Sequence, residues 1–401
     1  MSTPSLDGVT IVDLTQFEAG PSVTETLAWH GADVIKVEPR GTGDPGRMAF
    51  NDVNDKDSFF FLMLNANKRS VTCNLKTEEG KELLRRLIEK ADVVVENFSP
   101  GVIEKLGFGW EEIHRINPRC IFGQVKGFAA HGQFASYRSF DMIAQATGGM
   151  MSITGEADGP PMRCGATIGD TGTGLHMAVS IACALYQRSR TGLGQHLRVA
   201  MQDAMVNFCR VGIARQQSLQ QPLPRQGNPV SGGVPDGLYP CRGGGDNDYC
   251  YIFVKEDLEA HWSGLCDAIG QPELKSDARF LTPALRMEHR EDVDRIVTQW
   301  TKARPKEEVM ASLGAAGVTA GAVFDLQEVL KSPDMHERGL LATFEHDERG
   351  AVTVPGWPVE MAGAVPIALA PRLGAHNEAV YRDMLGVSAQ ELRELEQAGV
   401  V

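Results

Sequence analysis

Residues 9–39 read VTIVDLTQFEAGPSVTETLAWHGADVIKVEP. An apolar run (9–14), a stretch that Pro21 can open as a helix and a second apolar run (32–39) make a strand–helix–strand unit, because Pro is tolerated in the first helical turn and β-branched residues favour strands. A second unit follows in residues 76–98, KTEEGKELLRRLIEKADVVVENF. There Thr77 is placed to cap a helix with Leu83, Leu84, Leu87 and Ile88 on one face, and Val93 to Val95 form the next strand. CIFGQVKGF at 120–128 reads as a third buried strand. Strands alternating with helices predict an α/β fold with a parallel sheet covered on both faces.

Further along, TGTGLHMAVSIACALYQRSR (171–190) is a long, mostly apolar helix ended by the glycine turn at 191–194, and another helix is expected over 199–217. Residues 218–245 hold Pro222, Pro224, Pro229, Pro235 and Pro240 among several glycines, which marks a linker or loop set. A strand at 249–254 and helical patterns over 261–269 and 306–313 form a smaller unit. A polar helix is expected from about Ser388.

The chain has 401 residues, enough for two or three domains at about 150 each. Its net charge of −13 argues against a general polyanion partner such as nucleic acid, and no apolar run approaches the ~18 residues of a membrane span. The first residues resemble neither a signal nor a transit peptide, so cytoplasmic residence is the expectation. Eight dispersed cysteines without a Cys-x-x-Cys pair suggest neither disulfides nor a metal site. Scattered histidines and the lack of a G-x-G-x-x-G, P-loop or G-x-S-x-G pattern leave the usual cofactor and hydrolase motifs unsupported.

The chemistry-bearing spot is GATIGDTGTGLH, where Asp170 follows Gly169 at the expected helix start. Such an aspartate is commonly an N-cap that only stabilises. Flanking glycines could instead clear a path for a ligand, leaving the carboxylate to act as a nucleophile towards an activated acyl group beside backbone N–H donors. Residue physics leaves both readings open.

LDGVTIVDLTQFEAGP, GADVIKVEPRGTGDPGR, NKRSVTCNLKTEEGKELL, ADVVVENFSPG, GDTGTGLHMAVSIACALYQRSRTGLGQ and VAMQDAMVNF, in this order, resemble the type III CoA-transferases, and among them the formyl-CoA transferases. The resemblance runs in register over about 5–217 and weakly to the C-terminus. It implies transfer of CoA from an acyl-CoA to a free carboxylate with no metal or prosthetic group, CoA and acyl-CoA being substrates. Asp170 matches the family nucleophile, which passes through a mixed acyl anhydride and an aspartyl-CoA thioester. The implied fold is a Rossmann-like large domain (1–217 and a return over 321–401), a linker with a glycine loop (218–245) and a small domain (246–320), in an interlocked homodimer.

By the same resemblance, CoA contacts fall at Gln16, Arg40, Lys76, Asn97, Phe98, Lys105 and Arg138. Gly232 and Gly233 match a loop that closes over the aspartate, Asp141 matches a glutamate that could hydrogen-bond and orient Asp170, and Glu18 stands where the family has glutamine. An ionised Glu18 would repel a second acceptor charge. The expected acceptor is therefore a monocarboxylic or hydroxy acid rather than oxalate.

Two alternatives remain at this point. An α-methylacyl-CoA racemase resembles the same family, but it pairs the aspartate with a histidine where this chain has Phe140. A non-catalytic CoA-binding protein would keep the scaffold and lose the transfer.

Overall fold

The structure, a computed structural model, describes residues 2–54, 56–230 and 232–401. Six strands form its main sheet: β1 (Thr10–Asp13), β2 (Asp33–Glu38), β3 (Arg69–Thr72), β4 (Val93–Glu96), β5 (Ile121–Lys126) and β6 (His196–Ala200). Their order is β3-β2-β1-β4-β5-β6, and each neighbouring pair is parallel.

The period-two alternation of these strands feeds two cores. Val12, Ile35, Val94 and Phe122 face the helix Glu78–Lys90, whose Leu83, Leu84, Leu87 and Ile88 are buried against them and whose N-cap Thr77 accepts the Gly80 amide. Ile11, Val34, Val93 and Ile121 point the other way, onto Val23 and Leu27 of helix α1 (Ala19–Trp29) and Met177 and Ile181 of the long helix Ile168–Thr191. Each such aliphatic side chain contributes about 1.5–3 kcal/mol on leaving water, so the covered sheet carries much of the stability.

Several element boundaries differ from the sequence reading. α1 begins at Ala19, placing Pro21 third in the helix, still within the turn that lacks internal N–H partners. The long helix starts at Ile168 and ends, as expected, at a left-handed Gly192 with φ of 76°. The single helix expected over 199–217 is a strand followed by two short helices: Val199 pairs with Val125 in β6, and Met201–Phe208 and Arg210–Gln216 meet at Cys209.

The chain divides into two compact units, one of Met1–Ile153, Met162–Leu223 and Asp334–Val401, the other of Thr154–Pro161 and Pro224–Pro333. The stretch expected as a linker contains β7 (Asp236–Pro240), which joins β8 (Tyr249–Phe253) and β9 (Thr319–Ala322) in an antiparallel sheet over Trp262, Leu265, Phe280 and Val309. Because β9 belongs to this sheet, the return begins at Asp334 where 321 was expected. In the first unit the return carries a hairpin, β10 (Leu341–His346) and β11 (Gly350–Pro355), and the Ser388-capped helix Ala389–Gln397. It closes against β3, where the Tyr381 hydroxyl donates to the Thr72 carbonyl (2.8 Å) and the Asn74 amide donates to the Val400 carbonyl (2.7 Å).

Among the described residues no helix is long and apolar enough to cross a membrane, and no group of three or more His, Cys, Asp or Glu could hold a metal ion.

Candidate active site

In the main sheet the chain leaves β1 towards β2 and β3, then returns to the other side of β1 for β4. Loops after β1 and β4 therefore diverge, and the crevice between them is where doubly wound sheets receive ligands. Reciprocal hydrogen bonds fix its floor: the Gln16 amide donates to Asn97 Oδ1 (2.8 Å) and Asn97 Nδ2 donates to the Gln16 carbonyl (2.7 Å). Phe17 follows in the left-handed region, with φ of 61°. Its amide donates to Asp44 Oδ1 (3.0 Å), and Asp44 in turn pairs with Lys36 Nζ (2.8 Å), which also donates to the Thr15 carbonyl (2.8 Å). Lys36 and Asp44 are both buried, and the charge of Lys36 is compensated by Asp13, Asp44 and Glu38 together.

This loop delivers Glu18 to the first turn of the long helix. Glu18 Oε1 accepts from the Thr167 and Thr171 hydroxyls, the latter at 2.9 Å. Thr167 occupies the N-cap position and Asp170 is the third helical residue. The N-cap reading of Asp170 is thereby corrected. Asp141 Oδ1 accepts the Gly169 amide (2.7 Å) and its Oδ2 accepts Gln145 Nε2 (2.8 Å). Asp141 thus steadies the backbone next to the nucleophile candidate, and among the described residues no hydrogen bond joins it to the Asp170 carboxylate.

The glycines around Asp170 serve close packing rather than an approach path. A Cβ at Gly169 would lie 2.7 Å from the Asp141 carbonyl oxygen, and one at Gly174 would lie 2.7 Å from Ser22 Cβ of α1. The Gly169 amide, already given to Asp141, is not free for an oxyanion.

Three carboxyl groups, Glu18, Asp141 and Asp170, consequently meet at one helix end. Asp170 is half-buried, and its carboxyl is pushed up to about 8, first by burial and then by the charges of Glu18 and Asp141. Burial also raises Glu18, while the Thr167 and Thr171 hydroxyls pull it back. A carboxyl so perturbed in a cleft has the properties of a nucleophile or acid/base group.

Two clefts in the first unit gather most of the sequence-derived residues. An outer one of about 1010 Å³ is lined by Gln16, Arg40, Lys76 and Phe98, and an inner one of about 500 Å³ by Gln16, Glu18, Asn97, Phe98, Arg138 and Asp170. They share Gln16, Phe98 and Val102, so they abut. Lys105 is exposed at the end of the short helix Val102–Lys105 and lines neither cleft.

Gly232 and Gly233 belong to the second unit. There a Cβ on Gly233 would come 2.1 Å from the Val254 carbonyl oxygen, a packing reason for glycine at that position. Sequence reasoning missed Thr167, Thr171, Lys36 and Asp44. Two threonines spaced i, i+4 around Asp170 were a visible signal. Lysine within an apolar strand is ordinarily taken for a solvated edge.

The model of CoA-transferase family III matches residues 6–377. The chain is 40% identical over 415 residues to the formyl-CoA:oxalate CoA-transferase of Streptomyces coelicolor and 41% identical over 413 residues to that of Streptomyces avermitilis, with all of each chain covered. Among solved structures, a CAIB/BAIF family protein from Brucella suis superposes with a TM-score of 0.84 at 32% identity, covering 96% of this chain and 100% of the other. Rv3272 from Mycobacterium tuberculosis gives 0.77 at 27% identity, covering 94% and 99%. A parallel sheet with a crevice at its switch point, a perturbed aspartate inside that crevice and matches along the full chain agree: the protein is a transferase belonging to CoA-transferase family III.

Proposed function

We propose that the protein moves CoA from an acyl-CoA thioester to a free carboxylic acid, with Asp170 as the nucleophile. The observation that carries this reading is the Asp170 carboxyl, half-buried in the inner cleft and without a hydrogen-bond donor among the described residues. An ionised carboxylate so weakly solvated is a strong nucleophile.

An Asp170 oxygen attacks the thioester carbonyl and expels CoA thiolate, leaving a mixed acyl anhydride. The thiolate then attacks the aspartyl carbonyl, releasing the first acid and forming an aspartyl-CoA thioester. The incoming carboxylate reverses both steps, so atoms balance without an added reactant. Arg40 and Lys76 suit the phosphates of CoA in the outer cleft. Gln16, Asn97 and Phe98 line the path inward, and Arg138 supplies a cation beside the reacting groups. Lys105 would act at the outer rim, from solvent.

The Streptomyces relatives are named for oxalate as the acceptor. In this chain the inner cleft already holds the Glu18 and Asp170 carboxyl groups, and a dianion pays the greater repulsion there. The acceptor in this reading is a monocarboxylic or hydroxy acid. A homodimer, interlocked in the manner of the family, would cover exposed apolar side chains such as Val179, Tyr186 and Val211.

The test is a matrix of CoA thioesters, formyl-CoA included, against oxalate, acetate, lactate and related acids, with products identified by mass spectrometry. Transfer to at least one acid is expected, with a higher kcat/KM for monoacids. No transfer to any acid overturns the reading. A kcat/KM for oxalate above the monoacids overturns its acceptor alone, and a monomer in sedimentation overturns the dimer.

A further inference from the structure

The three carboxyl groups at the start of the long helix are not served alike. Asp141 accepts two N–H donors, from Gly169 (2.7 Å) and Gln145 (2.8 Å). Glu18, only 7% exposed, accepts two hydroxyls, from Thr167 and Thr171. Asp170 accepts none among the described residues. Donors stabilise the charged form of the carboxylate they reach, and like charges crowded together cannot all ionise at once. Any proton held by the cluster therefore settles on the one group without donors.

We propose that Thr167 and Thr171 are positioning residues whose hydroxyls keep Glu18 charged beside Asp170, so that the resting enzyme holds its proton on the nucleophile. This rests on Asp170 being the nucleophile. The two threonines lie at i, i+4 on one helix face, the spacing needed to bracket a single carboxylate oxygen from another element. Their effect on catalysis passes through Glu18, without contact to substrate. The attacking form of Asp170 then appears only as the proton leaves to solvent with rising pH, and the site is throttled at neutral pH.

Other charged groups on the elements packed around the cluster have partners of their own: Glu25 of α1, whose carboxyl burial pushes up to about 8, accepts the Ala66 amide (3.0 Å), and Lys68 pairs with Asp13 (3.1 Å). Lys126 on the cleft wall is tied to Glu96 (2.7 Å) and to the Phe98 carbonyl (2.6 Å). Arg138 is exposed in the loop before Asp141, Asp203 is exposed on the helix Met201–Phe208, and His176 lies further along the long helix with Nδ1 at 2.7 Å from the Gly172 carbonyl. None is hydrogen-bonded to Asp170.

The experiment is the pH profile of kcat/KM, which reports the free enzyme, for wild type, Thr171→Val, Thr171→Ser and Glu18→Gln. The assay uses formyl-CoA with an acceptor ionised throughout the range. Removing the hydroxyl or the charge lets Asp170 ionise earlier, so the ascending limb is expected to move down by about one pH unit in Thr171→Val and at least as far in Glu18→Gln. Thr171→Ser, which keeps the hydroxyl, is expected to hold the wild-type limb. A limb unmoved, or moved upward, in both Thr171→Val and Glu18→Gln overturns the proposal. Hydroxylamine trapping of each protein separates the two claims: an adduct at Asp170 with an unmoved limb defeats only the role of the threonines, whereas no adduct in wild type defeats the nucleophile itself.

Discussion

The outer and inner clefts share the Gln16–Phe98 wall and differ in how their charged groups are paired. Arg40 and Lys76 in the outer cleft are exposed, and among the described residues neither forms an ion pair; Arg40 gives only a 3.3 Å hydrogen bond to the Glu396 carbonyl. The inner cleft holds the carboxyl groups of Glu18 and Asp170, while its Lys126 is neutralised by Glu96 and its other cation, Arg138, is exposed. A slot with unpaired exposed cations at one end and two carboxyl groups at the other suits a molecule with phosphates at one terminus and a neutral thioester at the other. Affinity and reactivity are thus housed separately, and mutations should separate them.

The largest expected effect is at the inner end. Asp170→Asn should lower kcat by at least about 10³-fold, since a carboxamide cannot form the anhydride, while the Kd for CoA measured by calorimetry stays near wild type. Equal losses in both quantities would mean that the inner cleft is merely part of the binding site. At the outer end, Arg40→Ala and Lys76→Ala should each raise KM for the acyl-CoA about tenfold, leave kcat in place and weaken the dependence of KM on salt. A fall in kcat with unchanged KM would break the division of labour.

A smaller effect concerns stability. Folding raises the Asp170 carboxyl from 3.8 to about 8, so the native state binds this proton more tightly than the unfolded chain. Stability is accordingly lost as pH rises from 3.8 to about 8, and the loss is complete above that. Asp170→Asn should therefore leave Tm unchanged near pH 4 and raise it by a few degrees at pH 9. An equal Tm difference at both pH values would place the effect in packing rather than charge.

Much of the architecture could be read from local pattern. The runs at 9–14, 32–39 and 93–95 became strands, and Thr77 became a cap, because there periodicity and tertiary burial point the same way. Reading went astray where two patterns share a composition. HLRVA at 196–200 continues into a helical stretch, and only pairing with β5 makes it a strand. β7 hides Gly237 and Pro240 within an edge strand, where a missing N–H is tolerated. The order of the sheet and the resulting crevice are long-range and leave no local trace.

For the site, the glycine-flanked carboxylate singled out Asp170; of the residues that the resemblance supplied, Gln16, Glu18, Arg40, Lys76, Asn97, Phe98 and Arg138 line the two clefts, and Asp141, Lys105, Gly232 and Gly233 do not. Lys36 and Asp44 were invisible because burial of a charged pair is decided by residues far apart in the chain. The same holds for Glu18 and its threonines, separated by about 150 residues.

Transfer by this route requires a covalent bond to one carboxylate. Protein incubated with an acyl-CoA and no acceptor, quenched with hydroxylamine and mapped by peptide mass spectrometry, should carry a hydroxamate at Asp170 in wild type and none in Asp170→Asn. A hydroxamate on another residue, or unmodified Asp170 in a preparation that is transferring CoA, would contradict it.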